Sequence, residues 1–194
     1  MSVRRDVPRF EHKSAGAGAD RSSSTQLRAA RVGIGGSAGS GKTRLLEQLL
    51  PRLCTRGVEF AILDDPPLTA AGEDPASEPL FTGLELMLIE SEGGAQPAFD
   101  HRLFVVDISA AAKLSAARDP RLLSADLVVI NKLDLASYTP VDLPRLLAEL
   151  EALRIDRPTL LTSCETGQGL DAVLEHLIGS LLVRAGDDAP NIGE

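Results

Sequence analysis

The eight residues Gly36-Ser37-Ala38-Gly39-Ser40-Gly41-Lys42-Thr43 have the types and order of a loop that binds phosphate. Glycines let the backbone curve so that its N–H groups point inward, and the N-terminus of a following helix adds partial positive charge. In such a P-loop the lysine reaches the β- and γ-phosphates and the hydroxyl of the last residue binds Mg²⁺. The alternative interpretation is a Gly-rich turn, but a predicted strand before the segment and a predicted helix after it favour nucleotide binding.

A second motif, Asn131-Lys132-Leu133-Asp134, follows the apolar run 127–130. The Asp134 carboxylate can accept two hydrogen bonds from the N1–H and N2–H₂ groups of guanine, whereas adenine offers an acceptor at N1 and would leave that carboxylate unsatisfied. Asn131 is expected to tie this segment to the P-loop, and the aliphatic stem of Lys132 to lie over the base. Alone the tetrapeptide could be a strand end turning into a polar loop; after a P-loop it favours GTP over ATP.

Three carboxylates at predicted strand ends are candidates for the metal and the γ-phosphate. Glu90 lies three residues before Gly93, a spacing suited to a carboxylate near Mg²⁺ and a glycine N–H at the γ-phosphate, although a solvated acidic turn has the same pattern. Asp65 could contact Mg²⁺ or activate water, or be a turn residue before two prolines. Asp107 is interpreted as a capping or structural carboxylate. We therefore predict Thr43, Asp65 and Glu90 as Mg²⁺ ligands and, with Lys42, as the catalytic residues.

The elements that must position these residues alternate between strands and helices from residue 31 onward. Short runs of consecutive apolar residues predict strands at 31–35, 58–63, 84–89, 103–108, 127–130 and 158–162. Apolar spacing of three and four predicts helices after Lys42, from Asp142 and from Leu170, with Pro51 expected to kink the first helix or end it early. Residues 66–82 read as a loop. The pattern predicts an α/β P-loop fold, a mostly parallel sheet flanked by helices.

Composition limits the remaining possibilities. The 194-residue chain has a formal net charge of −8, which disfavours a nucleic-acid partner, and no run long enough to span a membrane. Ten acidic residues and no Lys or Arg fall between Gly57 and His101. Two cysteines and three scattered histidines form no local metal motif. We expect a cytoplasmic protein with a disordered tail at 1–28, a GTPase domain at 29–184 and a flexible acidic tail at 185–194.

Together these motifs resemble the UreG-type GTPases that help load nickel into urease, and more broadly their HypB and CobW-type relatives. The matching stretches are RVGIGGSAGSGKTRLLEQL, LIESEGG, FVVDIS, ADLVVINKLDLASY and RPTLLTSCETGQGLDAVLEHL. The resemblance implies a SIMIBI-class G domain that binds GTP with Mg²⁺, dimerises with nucleotide in many members, and works with other urease accessory proteins. It also places Thr162, Ser163 and Cys164 in the loop that supports the guanine ring.

The sequence departs from this family at its metal site and in one loop. UreG-type proteins carry a Cys-Pro-His motif that binds nickel or zinc at the dimer interface, and this sequence contains none, so no nickel or zinc ligands are identified. The segment 66–89 is shorter than in the family, as if a helix and strand pair were missing. Ala110-Ala111-Ala112-Lys113-Leu114-Ser115 replaces an expected Gly-rich, basic stretch.

Three functions fit these observations to different degrees. The first is a UreG-type GTP-binding protein that hydrolyses GTP slowly, because no arginine finger or water-positioning glutamine is evident, and that assists nickel insertion or metalloenzyme maturation. The second is a degenerate nucleotide-binding paralogue that acts as an interaction partner without binding metal. The third is a P-loop small-molecule kinase, which would need an arginine-rich lid and would not carry Asn131-Lys132-Leu133-Asp134.

Overall fold

The computed structural model of the 194-residue chain describes residues 29–64, 84–90, 99–116 and 118–187. The described residues form one six-stranded sheet in which every pairing is parallel, in the spatial order β2-β3-β1-β4-β5-β6. The strands are β1 (Ala30–Gly36), β2 (Phe60–Asp64), β3 (Leu86–Glu90), β4 (His101–Asp107), β5 (Leu127–Asn131) and β6 (Thr159–Leu161). All six predicted strands and the α/β fold class are confirmed.

The sheet is covered on both faces, which explains why its strands are apolar at successive residues. Along β4, Leu103 and Val105 join a core cluster with helices α1 (Lys42–Thr55) and α5 (Leu170–Asp187). The alternate residues Phe104 and Val106 join a second cluster with α2 (Ile108–Ala116), α3 (Pro120–Ser124) and α4 (Leu143–Leu153). Because successive side chains point to opposite faces, both sets must be apolar when both faces are buried.

Helix α1 begins at Lys42 and continues through Pro51 to Thr55. Of the two alternatives for Pro51, an early end of the helix is wrong, and a kink stays a prediction. Leu49 and Leu53, on either side of the proline, are fully buried and hold both halves of the helix against the sheet. The guanidinium of Arg52, the residue after the proline, donates to the main-chain oxygen of Gln48 at 2.6 Å.

The two later predicted helices are confirmed. The Asp142 carboxylate accepts a hydrogen bond from the N–H of Arg145 at the beginning of α4, as an N-cap residue does. Helix α5 begins at Leu170 and ends at Asp187, beyond residue 184, where we expected the domain to end. Helices α2 and α3 and a 3-10 helix, Leu133–Tyr138, were not predicted.

Several predictions fall on residues outside the described part of the chain. They are the loop at 66–82, the tail at 1–28, most of the tail at 185–194, Asp65 and Gly93. In the described part, no helix is long and apolar enough to cross a lipid bilayer.

Candidate functional site

Those residues predicted to do chemistry that the structure describes meet at the edge of the sheet where the parallel strands end. Strands β1 and β4 are neighbours at the centre of the sheet. From β1 the chain continues to β2 and β3 on one side, and from β4 it continues to β5 and β6 on the other. Ligands of open parallel sheets bind at such a point, beyond the carboxyl ends of the strands. Gly36 at the end of β1 begins the P-loop segment here, with Asp107 at the end of the neighbouring β4.

Two glycines let the P-loop segment pack closely against its neighbours. A Cβ at Gly36 would lie 2.1 Å from the carbonyl oxygen of Val105 on β4. Gly41, directly before α1, has φ 95°, and a Cβ there would lie 2.4 Å from the Asn131 amide nitrogen. A side chain at Gly36 would push the segment away from the β4 backbone, and one at Gly41 would displace the Asn131 amide, so both positions require glycine.

The Lys42 side chain folds back over this segment. Its ammonium lies 3.4 Å from the main-chain oxygens of both Gly36 and Ser37, and the residue is 6% exposed. An ammonium has three donors and no acceptor, and contacts of this length are weak. The positive charge is therefore held at the mouth of the loop, next to the N-terminus of α1, where an anion would be stabilised by both.

Asn131 links the end of β5 to the P-loop segment, as the sequence predicted. Its amide nitrogen donates to the main-chain oxygen of Ser40 at 3.0 Å. Its amide oxygen accepts from the Thr162 hydroxyl and the Cys164 N–H, both at 3.2 Å. Asn131 is 1% exposed, so these three bonds satisfy most of a buried amide. They bring residues from three separate segments into one rigid arrangement.

Asp134 lies beside this network with its carboxylate oriented by a neighbouring segment. The Ser163 hydroxyl donates to one carboxylate oxygen of Asp134 at 2.5 Å and accepts from the N–H of Thr166 at 3.2 Å. Asp134 itself is exposed, so its carboxylate remains open to a ligand. A fixed carboxylate with free acceptor capacity suits a partner that presents adjacent N–H donors.

Thr43 and Glu90 approach each other at the other end of the P-loop segment. The Thr43 hydroxyl lies 3.2 and 3.4 Å from the two carboxylate oxygens of Glu90, which ends β3. Two oxygen donors fit Mg²⁺, which is usually bound by one or two protein side chains together with phosphates and water. Among the described residues, no group of three or more His, Cys, Asp or Glu side chains is arranged to hold a metal ion.

The two carboxylate oxygens of Asp107 have different hydrogen-bond partners. One oxygen accepts from the N–H groups of Ser109 (2.7 Å) and Ala110 (3.3 Å) at the start of α2, so the capping interpretation is confirmed. The other accepts from the Lys132 ammonium at 3.2 Å. Burial opposes ionisation of Asp107, but the hydrogen bonds from Ser109 and Lys132 outweigh it and lower its pKa. The contact with Lys132 was not predicted, because nothing local to either residue signals it.

The described site therefore contains most of the predicted residues. Thr43 and Glu90 are together at one end, Lys42 and the glycines lie in the middle, and Asn131, Lys132 and Asp134 are together at the other end. Asp65 and Gly93 lie outside the described residues. Ser163, placed near the base by resemblance alone, proves to contact Asp134 directly.

No family model matches the sequence. Curated relatives do: a urease accessory protein UreG 2 from Bradyrhizobium sp. strain BTAi1 is 36% identical over 81% of this chain and 94% of that protein. A urease accessory protein UreG from Trichodesmium erythraeum is 33% identical over 84% of this chain and 98% of that protein.

Solved structures share the fold. The hydrogenase maturation factor HypB from Archaeoglobus fulgidus matches with a TM-score of 0.64 and 23% identity, over 78% of this chain and 89% of that chain. HypB from Helicobacter pylori, solved in complex with nickel, matches with a TM-score of 0.60 and 16% identity, over 81% and 89% of the two chains. The resemblance predicted from the motifs is confirmed by relatives that cover most of the chain, and the chain belongs to the UreG family of urease accessory proteins.

Proposed function

We propose that the chain binds GTP with Mg²⁺, hydrolyses it slowly, and acts as an accessory protein in nickel insertion into urease or in the maturation of a related metalloenzyme. The observation that carries the nucleotide part is the hydrogen bond from Asn131 to Ser40. It joins a segment suited to phosphate and a segment suited to guanine into one site. The metalloenzyme part rests on the family, whose curated members are named urease accessory proteins.

Guanine selection in this proposal depends on Asp134. Its carboxylate accepts from the N1–H and N2–H₂ groups of the base, and Ser163 holds one of its oxygens. Adenine in the same position would place an acceptor against that carboxylate, at a cost of several-fold or more in affinity. Asn131 keeps the base end in register with the phosphate end, because it contacts both segments.

Hydrolysis in this proposal is electrostatic. Lys42 and the N-terminus of α1 stabilise charge on the β- and γ-phosphate oxygens. Thr43 and Glu90, with Asp65 from the segment that follows β2, would hold Mg²⁺, which supplies further charge neutralisation on the phosphates when bound. These residues bind and orient the nucleotide, and a partner protein would complete the site and speed turnover. We propose nucleotide-dependent dimerisation on the same basis of family resemblance.

The nucleotide proposal is tested by isothermal titration of GTP into the protein with Mg²⁺. We expect stoichiometric binding by the native chain, loss of binding in Lys42→Ala, and no change in Lys113→Ala, a matched lysine exposed on α2. Asp134→Asn should lose affinity for GTP and gain affinity for xanthosine triphosphate, since an amide can donate a hydrogen bond where a carboxylate only accepts. Equal affinity of native protein and Lys42→Ala for GTP would show that the phosphate site has been misassigned.

The metalloenzyme proposal is tested separately. GTP hydrolysis should rise when nickel and a candidate apo-enzyme, with its other accessory proteins, are added together. A second candidate function is an interaction partner that binds nucleotide but not nickel, favoured by a sequence in which neither Cys54 nor Cys164 is followed by Pro-His. Titration of nickel into the GTP-bound protein separates the two: one tight site per dimer supports metal delivery, and no binding supports the second candidate.

A further inference from the structure

Asp107 is a carboxylate that lies between the P-loop segment and the segment 131–134 and belongs to neither. Strand β4 is the one strand between β1 and β5 in the sheet, and Asp107 at its end pairs in register with Asn131 on β5. The next residue of that segment, Lys132, contacts Asp107. The inference rests on the proposed function, because it concerns how the same site holds the base.

We propose that Asp107 is a positioning residue that orients Lys132 so that the lysine stem is preset against the nucleotide base. The two side chains are 22% and 35% exposed, so their ion pair is partly shielded from solvent and carries a hydrogen bond at 3.2 Å. Asp107 is itself immobilised, since its other oxygen accepts from the first main-chain N–H groups of α2. A fixed carboxylate can orient a flexible lysine, whereas a mobile one could not.

The backbone of Lys132 supports this assignment. Lys132 has φ 64° and ψ 40°, a left-handed conformation that is unfavourable for a residue with a side chain. Such conformations persist where surrounding contacts hold them, and they concentrate at ligand sites. The neighbouring contacts here are the hydrogen bond of Leu133 N–H to the Thr162 oxygen (3.0 Å) and that of Leu135 N–H to the Lys132 oxygen (2.9 Å). These fix the backbone of the segment, and Asp107 fixes the side chain that projects from it.

The consequence is selective for the base. Lys132 lies in the segment with Asp134, while Lys42 and the P-loop segment serve the phosphates. Removing the Asp107 charge should therefore lower the affinity for nucleotides that carry guanine, whatever their number of phosphates. It should leave a bare polyphosphate unaffected, because that ligand has no base for Lys132 to contact.

The test compares Asp107→Asn with the native protein. Asparagine keeps a side-chain oxygen to cap α2 and removes the charge that holds Lys132. We expect GTP and GDP to bind about three- to tenfold more weakly, by equal factors, as for a partly shielded ion pair. Tripolyphosphate, measured by competition, should bind as to the native protein. Ser109→Ala, which removes a hydroxyl from the capping oxygen alone, should keep GTP affinity within about twofold of native.

A double variant separates positioning of Lys132 from any other effect of Asp107. In a Lys132→Met background, Asp107→Asn should cause no further loss of GTP affinity, because the group it positions is gone. Native GTP affinity in Asp107→Asn would overturn the inference, as would an equal loss for tripolyphosphate or a further loss in the Lys132→Met background. If the native protein itself does not bind GTP, it is the proposed function that fails.

Discussion

The amide nitrogen of Asn131 donates to the main-chain oxygen of Ser40 across 91 residues of sequence, with 3.0 Å between the two atoms. The same side chain accepts from Thr162 and from the N–H of Cys164, so three segments converge on one buried amide. These bonds fix the P-loop segment, the end of β5 and the segment around Cys164 relative to one another. Loss of this one side chain should therefore affect both the packing of the site and its affinity for nucleotide.

Replacement of Asn131 by alanine should reduce both stability and nucleotide binding. The substitution leaves the Ser40 oxygen, the Thr162 hydroxyl and the Cys164 N–H without their partner in a buried site. We expect a loss of about 2–4 kcal/mol in the free energy of unfolding. Urea denaturation followed by circular dichroism measures it, and GTP titration should show a loss of at least tenfold in affinity.

The matched control is Thr162→Val, which removes one hydroxyl of the same network and keeps its shape. We expect about 1 kcal/mol of destabilisation, because the contacts of Asn131 with Ser40 and Cys164 remain. If both variants bind GTP with native affinity, the link between the two segments has no role in binding the nucleotide.

Glu90→Gln should lower the affinity for Mg²⁺ without lowering the affinity for nucleotide measured in the absence of Mg²⁺. The Glu90 carboxylate lies beside the Thr43 hydroxyl, and an amide of the same shape cannot supply the negative charge that a hard cation requires. In titrations of Mg²⁺ into a complex with fluorescent GTP, the midpoint should rise about tenfold or more. Affinity for the nucleotide in EDTA should stay near the native value, and a drop there would assign Glu90 to the nucleotide rather than to the metal.

Much of the fold could be predicted because its signals are local. Strands buried on both faces have to be apolar at successive residues, and β5 shows that pattern without interruption over residues 127–130, before Asn131. Helix α2 was missed because it is short and small-residue-rich over Ile108–Ala116, so it shows no clear apolar period. Its start was nevertheless marked by Asp107, whose carboxylate we interpreted as a capping or structural group. Asp119 marks the start of α3 in the same way, but that helix is only five residues long.

The site was predictable where a motif demands fixed spacing and unpredictable where side chains meet across strands. The P-loop segment and Asn131 belong to the first kind, because their chemistry requires neighbours in sequence. Contacts of Asp107 with Lys132 and of Ser163 with Asp134 belong to the second kind. They join residues 25 and 29 positions apart, and they depend on the register of neighbouring strands, which no local pattern specifies.

Arg154 is a further residue whose role only the structure shows, and it gives a prediction about stability. Its guanidinium is 3% exposed and donates to the oxygens of Ala125 (2.8 Å) and Pro158 (3.0 Å) and to the Thr159 hydroxyl (2.8 Å). Burial lowers its pKa to about 10, so it remains charged at neutral pH. These bonds tie the end of α4 to the beginnings of β5 and β6.

Arg154→Met should lower the free energy of unfolding by about 1–3 kcal/mol, because buried carbonyls lose their donors while the side chain keeps its apolar volume. The free energy of unfolding of Arg154→Lys should lie between those of the native protein and Arg154→Met. A lysine ammonium keeps the charge but cannot span three acceptors as a planar guanidinium can. Urea denaturation gives both values. GTP affinity should not change, because these contacts lie at the edge of the sheet opposite the P-loop. A stabilised Arg154→Met would mean that the cost of burying the charge exceeds its hydrogen bonds.

The stability of the protein should also fall on mild acidification because of His176 on α5. Its ring centroid lies 5.2 Å from that of His101 at the start of β4, and among the described residues Asp126 is a charged neighbour of both rings. Burial lowers the pKa of His176 below its ordinary 6.5, although Asp126 acts in the opposite direction. The folded state therefore binds fewer protons than the unfolded chain as the pH drops below about 6.5. The stability of the neutral form is complete above that pH and is lost as the pH falls towards the folded-state pKa.

Urea denaturation at pH 7.5, 6.5 and 5.5 measures this effect in a range where Asp and Glu carboxylates have barely begun to protonate. One histidine can contribute a slope of at most about 1.4 kcal/mol per pH unit. The free energy of unfolding of His176→Gln should fall less steeply with decreasing pH, because glutamine stays neutral over this range. His101→Gln tests whether the neighbouring ring contributes to the pH dependence. An unchanged slope in His176→Gln would place the acid sensitivity elsewhere in the chain.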